Sequence, residues 1–380
     1  MFDELFQFIR KWYNTDEVIP LHEPRFSDLD RKYVLDAIDS HYVSSIGQYV
    51  ERFEGQLATY VGAKHAIVTV NGTAALQVAL RLAGVNTDDE VITQPLTFIA
   101  TANAITYNNA HPVFVDVDRK NMGLNPLALK AFLDEFAERN KDTVYNRSSN
   151  RRIAAIVPMH TFGHPCDMSG LMEVADEWAI PVVEDAAEAM GSFIEGSHCG
   201  TLGKMGVFSF NGNKTITCGG GGAIVTGDDR LAERAKHLTT TAKVAHAWEY
   251  VHNETGYNYR MPNLNAALAV AQLEQLERFL IDKRRLSSAY ASFFNDVDWG
   301  DFILEPDACQ SNYWLNAVVV LNEDLRNKLL RTSNAAGIMT RPVWRLLSDL
   351  ALFKHCQTDS LKNSKWLQQR VVNLPSSARH

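Results

Sequence analysis

One lysine stands in a setting suited to covalent chemistry. In Gly200-Thr-Leu-Gly-Lys-Met-Gly-Val-Phe-Ser-Phe-Asn-Gly-Asn-Lys-Thr-Ile-Thr-Cys-Gly-Gly-Gly-Gly222, Lys214 follows an apolar run that ends near Ser209 and precedes consecutive glycines. A loop so rich in glycine either approaches something closely or takes φ > 0. Upstream, Ile180-Pro-Val-Val-Glu-Asp-Ala-Ala-Glu188 is a short β-branched run ending in acids. It predicts a buried strand that delivers Asp185 to its C-terminal edge. A lysine amine can form a Schiff base, and a carboxylate can hold a pyridine nitrogen protonated so that the ring acts as an electron sink. A lysine and an acid so placed are what pyridoxal phosphate (PLP) requires.

Each signal alone has a bland reading: a lysine near glycines is usually a solvated loop residue, and a glycine run is a flexible turn. The elements around them add weight. Ala66-Ile-Val-Thr-Val70 predicts a strand, and Asn71-Gly72-Thr73 leads directly into the helix former Ala74-Ala-Leu-Gln-Val-Ala-Leu-Arg-Leu-Ala83. A strand, a glycine turn and a helix N-terminus present free N–H groups to a phosphate, although many such turns bind nothing. Phe98 falls in the loop after the Asp89-Glu-Val-Ile-Thr93 strand, where its ring could stack on a flat cofactor or equally serve the core. Ile153-Ala-Ala-Ile-Val-Pro158, His160 after it, a helix capped by Asp167 and the Asp185 strand make a βαβ unit of a parallel sheet. Ligands of such sheets bind outside the carboxyl ends of the strands. Gly72, Thr73, Phe98, His160, Asp185 and Ser209 all fall there.

The composition is that of a globular chain. With 380 residues and 46% hydrophobic content, it can bury a sizeable core. The expected organisation is an N-terminal segment and large α/β domain over 1–255, then a linking helix and smaller α+β domain over 256–380. A net charge of -8 argues against a nucleic-acid surface and fits small-molecule chemistry. Met1-Phe-Asp-Glu-Leu-Phe-Gln-Phe-Ile-Arg-Lys-Trp-Tyr13 is amphipathic and carries early acids, so it reads as a packed helix and not as a signal peptide. No stretch is long and apolar enough to span a bilayer, so no membrane partner is expected. Five cysteines, widely spaced and without a Cys-x-x-Cys pair, predict neither disulfide framework nor metal site and point to the reducing cytoplasm.

Along the rest of the chain, Ser27-Asp-Leu-Asp30 can cap a helix, and Val50, Phe53, Leu57 and Tyr60 recur at helical spacing. His111-Pro-Val-Phe-Val-Asp-Val117 predicts a strand, and the polar stretch from Asn140 to Arg152 a solvated loop. Thr239 to Asn253 reads as irregular. Gly256-Tyr-Asn-Tyr-Arg-Met-Pro-Asn-Leu-Asn265 opens one long amphipathic helix through Leu268, Leu273, Leu276 and Leu280. Asn316 to Leu321 predicts a strand, Asp324 to Ala336 a helix.

The ordered set Asn71-Gly-Thr-Ala-Ala-Leu76, Gln94-Pro-Leu-Thr-Phe-Ile-Ala-Thr101, Glu184-Asp-Ala-Ala187, Phe208-Ser-Phe-Asn-Gly-Asn-Lys214, Gly256-Tyr-Asn-Tyr-Arg-Met261 and Leu374-Pro-Ser-Ser377 resembles the DegT-type nucleotide-sugar aminotransferases. These have the type I aspartate-aminotransferase fold, a large mostly parallel α/β domain with a smaller C-terminal one. The resemblance covers nearly the whole chain. Ile19-Pro-Leu-His-Glu-Pro-Arg25, Val43-Ser-Ser-Ile-Gly47 and Met339-Thr-Arg-Pro-Val-Trp344 look closest to the legionaminic-acid and bacillosamine-type enzymes, which aminate a UDP-linked 4-keto-6-deoxy-N-acetylhexosamine.

The resemblance implies a role for each matched residue. Lys214 is the Schiff-base lysine and the acid and base of the proton shift, and Asp185 is the partner of the pyridinium nitrogen. Gly72, Thr73 and Ser209 form the phosphate cup, with Asn258 reaching in from the neighbouring subunit of a homodimer. Phe98 flanks the ring, His160 lies near the cofactor face, and Arg341 and Trp344 contact substrate. On their own the last two read equally well as a surface arginine and a core tryptophan. Glu188 departs from the glutamine of many relatives near the ring's phenolic oxygen, a place a glutamate can fill only when protonated or bonded to a donor. The implied reaction moves the amino group of L-glutamate to C4 of a nucleotide-linked keto-sugar, UDP-linked or alternatively GDP- or dTDP-linked. Three other readings are weaker. A sugar 3-dehydratase of this fold carries histidine in place of Lys214, a PLP lyase lacks the Gly256–Met261 stretch, and a non-catalytic nucleotide-sugar sensor has no need of the lysine.

Overall fold

The computed structural model describes residues 1–141 and 143–379. Its centre is a sheet of strands β1 (His65–Thr69), β2 (Glu90–Thr93), β3 (His111–Phe114), β4 (Ile153–Val157), β5 (Val183–Asp185), β6 (Met205–Ser209) and β7 (Gly222–Thr226). The order across the sheet is β1-β7-β6-β5-β4-β2-β3, with β4 and β5 joined through the Ile156–Val182 and Met159–Asp185 bridges. Only β7 runs antiparallel to its neighbours, β1 and β6. A parallel sheet needs crossovers that cover its faces, which is why nearly every strand residue is buried and most are apolar.

Side chains on a strand alternate between faces, and the core divides accordingly. Helices α1 (Asp3–Tyr13), α2 (Asp28–Asp39) and α3 (Gln48–Val61) precede β1, and α4 (Gly72–Ala83) and α5 (Ile99–Tyr107) follow it. Ile67, Val207 and Ile224 pack with α4 and α5 on one face, whereas Val68, Phe208, Ala223 and Val225 pack with Phe53 and Leu57 of α3 on the other. Phe53 and Leu57 are fully buried, each contributing about 1.5–3 kcal/mol. Ser27 starts α2 through a capping box with Asp30, as its sequence signal predicts.

Three stretches differ from the sequence expectation, the first being Thr239 to Asn253, where Lys243–Val244 pairs antiparallel with Val251–His252. The polar stretch around 140–152 contributes to an antiparallel ribbon of Ala137–Asn140 with Thr143–Asn146; residue 142 lies outside the described residues. The single long helix expected after Gly256 is two, Asn263–Leu273 and Leu276–Phe294. The Gln275 side-chain amide occupies the Ala271 carbonyl at 2.9 Å, and its own N–H falls back to Gln272 O at 3.1 Å, so the helical ladder breaks there.

The second of these helices links two cores. Leu276, Phe279 and Leu280 face the large sheet, while Leu286, Tyr290 and Phe294 join an antiparallel sheet of Gly300–Phe302, Asn316–Val320, Val371–Leu374 and Arg341–Pro342, in that order. Phe2, Leu5 and Ile9 of α1 pack into this second core, so the chain's first helix sits on its C-terminal sheet.

Candidate active site

The carboxyl ends of β1, β5 and β6 open on a cavity of about 340 Å³. At its floor β1 turns into α4. Asn71 caps that helix by accepting the Ala74 N–H at 2.8 Å, and the Gly72 and Thr73 N–H groups find no acceptor among the described residues. Unpaired N–H groups at a helix N-terminus, with the helix dipole behind them, attract an anion. Gly72 is fixed by space: a Cβ there would lie 2.9 Å from Ser209 Cβ and 3.3 Å from Phe208 O. A Cβ on Gly222 would lie 2.4 Å from the Asn71 carbonyl carbon, so β7 can run beneath the turn only without a side chain.

Asp185 enters from the end of β5 and is 6% exposed. Its Oδ2 accepts from Thr101 Oγ1 at 2.7 Å, and its Oδ1 from the Ala187 N–H at 3.2 Å. Burial raises the carboxyl above its ordinary pKa, while Thr101, the Ala187 N–H and the Lys214 ammonium oppose it. A cation placed against the free side of this carboxylate would relieve that burial cost.

Lys214 lies on a turn closed by its own N–H to Asn211 O at 3.0 Å. Its Nζ is 3.2 Å from Glu188 Oε1 and 4.0 Å from the centroid of the Trp314 ring, whose Nε1 donates to Asn213 O at 2.6 Å. Glu188 Oε2 accepts the Phe162 N–H at 2.9 Å. Burial pushes the Glu188 carboxyl up to about 7, with Lys214 and the Phe162 N–H pulling the other way. Both Glu188 oxygens thus have donors. Phe98 lines the same cavity at 53% exposure, its ring free to take a planar ligand, and Trp344 lines it as well.

Gly72, Thr73, Phe98, Asp185, Glu188, Ser209 and Lys214 therefore converge on one cavity. Three other sequence candidates do not. His160 is wholly buried behind it, with Nε2 3.0 Å from Glu184 Oε2 and Nδ1 accepting the Cys166 N–H, so both nitrogens are committed. Asn258 is exposed, bridged to Thr240 and away from the cavity of its own chain. Arg341 is exposed and donates to Asn334 Oδ1 at 3.0 Å and to Thr340 O, not into the cavity. Conversely, sequence reasoning missed Thr101 and Trp314. Thr101 lies three residues after Phe98, one helical turn into α5, so its place beside Asp185 could have been suspected. Trp314 is far away in the chain and nothing local marks it.

These residues fit PLP. The space Gly72 keeps clear beside Ser209, at a helix N-terminus, suits a phosphate. The buried Asp185 carboxylate suits a protonated ring nitrogen, and the Lys214 amine suits a carbonyl carbon. Among the described residues no group of three or more histidine, cysteine or acidic side chains could hold a metal ion.

Comparison with known proteins agrees with this chemistry. The sequence pattern of the DegT/DnrJ/EryC1/StrS aminotransferase family matches residues 25–379. The chain is 36% identical over 366 residues to the putative pyridoxal phosphate-dependent aminotransferase EpsN of Bacillus subtilis, covering 95% of this chain and 91% of EpsN. It is likewise 36% identical over 366 residues to the GDP-perosamine synthase of Caulobacter vibrioides, covering 95% and 93%. The crystal structure of the aminotransferase TlmJ from Streptoalloteichus hindustanus superposes with a TM-score of 0.86 at 25% identity, covering 95% of this chain and 94% of that one.

Proposed function

This chain belongs to the DegT/DnrJ/EryC1/StrS aminotransferase family, and we propose that it transfers the amino group of L-glutamate to C4 of a nucleotide-linked 4-keto-6-deoxy sugar, in the making of amino sugars for surface glycans. It is a PLP-dependent enzyme of the type I fold, acting on an amino donor and a nucleotide sugar. The observation that supports PLP-dependent amino transfer is the meeting of Lys214 Nζ, the Asp185 carboxylate and the Gly72 and Thr73 N–H groups in one cavity.

Bound PLP supplies a carbonyl carbon that takes up an amine and a ring that accepts the electrons released when the neighbouring C–H bond breaks. Lys214 Nζ would hold that carbonyl carbon and, once the donor amine has displaced it, would be free to move the proton, first from the donor carbon and later, in reverse, to C4 of the keto-sugar. Asp185, held by Thr101, keeps a proton on the ring nitrogen. Gly72, Thr73 and Ser209 bind the phosphate, and Phe98 flanks the ring. Glu188, at 3.2 Å from Lys214 Nζ, orients that amine and, titrating at about 7, can hold a proton near it. Asn258, exposed here, reaches the phosphate of a neighbouring subunit in a homodimer.

For the nucleotide, the stretches Ile19–Arg25, Val43–Gly47 and Met339–Trp344 favour a UDP-linked N-acetylhexosamine. The likeness to a GDP-perosamine synthase favours a GDP-linked sugar as the second reading. The deciding experiment is an absorbance spectrum of the purified protein with PLP, then with glutamate, then with UDP-, dTDP- and GDP-linked 4-keto-6-deoxy sugars in turn. A visible band that glutamate bleaches and one keto-sugar restores establishes both reaction and substrate. Lys214→Ala should show neither band nor turnover; turnover in that variant removes the lysine from the chemistry.

A further inference from the structure

Lys283 lies on the linking helix Leu276–Phe294 with no solvent exposure at all. Its Nζ has three acceptors from three distant parts of the chain: His22 Nε2 at 3.1 Å, Trp314 O at 3.2 Å and Ser376 O at 2.6 Å. An ammonium has three donors, so this set satisfies it completely. The Ile19–Arg25 and Leu374–Ser377 stretches, to which no residue role was given above, thus meet on one side chain. They are also stitched to each other, since the Ser376 N–H donates to Leu21 O at 2.7 Å. Burial pushes the Lys283 amine down to about 7, with Asp282 opposing. A buried charge of this kind is expensive, and replacing one with an apolar side chain of similar volume is often neutral or stabilising, so its bonds are weak evidence of a role in stability.

What it positions is Trp314. That residue is held at its N–H by Asn312 Oδ1 at 2.7 Å, at its Nε1–H by Asn213 O at 2.6 Å and at its carbonyl by Lys283. Its ring covers Lys214 Nζ at 4.0 Å. We propose that Lys283 is a positioning residue for the active site, holding the Trp314 indole against Lys214 through the Trp314 carbonyl. The proposal takes Lys214 to be the reactive amine of the reading above, but its test needs no turnover.

In the cofactor-free protein, the rate at which trinitrobenzenesulfonate labels Lys214 is measured by peptide mass spectrometry for the wild type, Lys283→Met, Trp314→Ala and the double variant. Lys283→Met is expected to speed labelling by about tenfold, the size of coupling found between groups in direct contact. In the Trp314→Ala background the same change should have no further effect, because the ring it acts through is gone. A merely structural lysine would lower thermal stability and leave Lys214 labelling unchanged, or add its effect independently in the double variant; either result overturns the proposal. Should Lys283→Met fold poorly, His22→Ala removes one of the three acceptors and is expected to raise labelling less, with no rise counting against the link. A wild type that shows no band with PLP and no response to glutamate would sink the functional reading alone, since the labelling contrast is read without either.

Discussion

Glu188 Oε1 stands 3.2 Å from Lys214 Nζ, while Oε2 of the same carboxylate accepts the Phe162 N–H at 2.9 Å. One buried acid therefore ties the candidate reactive amine to a turn where phenylalanine adopts φ 58°, a left-handed conformation costly for a bulky side chain. The turn is further held by Phe162 packing against Trp344, ring centroids 4.9 Å apart. Glu188 thus couples two walls of the cavity, which a glutamine in its place, with a single acceptor oxygen, can do only by half.

The first prediction concerns that carboxyl. Its folded-state pKa of about 7 lies above the ordinary 4.5, so between those values the folded chain binds more proton than the unfolded one. The contribution of Glu188 to stability is therefore complete below about 4.5 and is lost as pH rises through about 7. Glu188→Gln cannot ionise and should flatten that fall, changing the pH dependence of the melting temperature by a few degrees between about pH 5 and pH 8. Parallel melting curves for wild type and variant across that range would refute the assignment.

Thr101 supports Asp185 from below. Thr101→Val keeps the shape of the side chain and deletes the donor to Asp185 Oδ2, leaving that buried oxygen unpaired, together with the 2.9 Å contact to Thr97 Oγ1. A hydrogen bond to a charged group is worth about 1.5–3 kcal/mol, so PLP affinity should fall by about ten- to a hundredfold. Titration of the cofactor-free variant with PLP, followed by fluorescence quenching, measures this. An unchanged dissociation constant would mean that Asp185 does not need the threonine.

Much of this site was legible in the sequence because its signals are local. A strand, a glycine turn and a helix N-terminus are contiguous in residues 66–83, and the Asp185 strand announces itself by β-branched residues ending in acids. What was not legible depends on contacts between distant segments. Trp314 reaches Lys214 across a hundred residues of chain, and no periodicity records that. His160 follows a buried strand as a cofactor contact would, yet its imidazole turns inward to Glu184, a buried carboxylate that also accepts the Gly200, Leu202 and Gly203 N–H groups. Arg341 begins a two-residue edge strand, and its guanidinium is spent on the neighbouring helix at Asn334. The break after Leu273 turned on a single glutamine amide that competes for a helical carbonyl, an event that apolar spacing cannot show.

The last prediction sets a propensity against a contact. Gly72 occupies the first turn of α4 without a positive φ, so on helix propensity alone Gly72→Ala should be neutral or stabilise the helix, by at most about 1 kcal/mol. The added methyl, however, would stand 2.9 Å from Ser209 Cβ and 3.3 Å from Phe208 O. Ser209 ends a strand paired on both sides, with β7 and through β6 with β5, so it can yield little. The helix N-terminus must shift instead, and overpacking of this kind costs about 1–3 kcal/mol. Because the shift falls on the Gly72 and Thr73 N–H groups, PLP affinity should drop at least about tenfold while far-ultraviolet dichroism stays that of the wild type. An alanine variant that binds PLP as tightly as the wild type would show that the phosphate is held elsewhere.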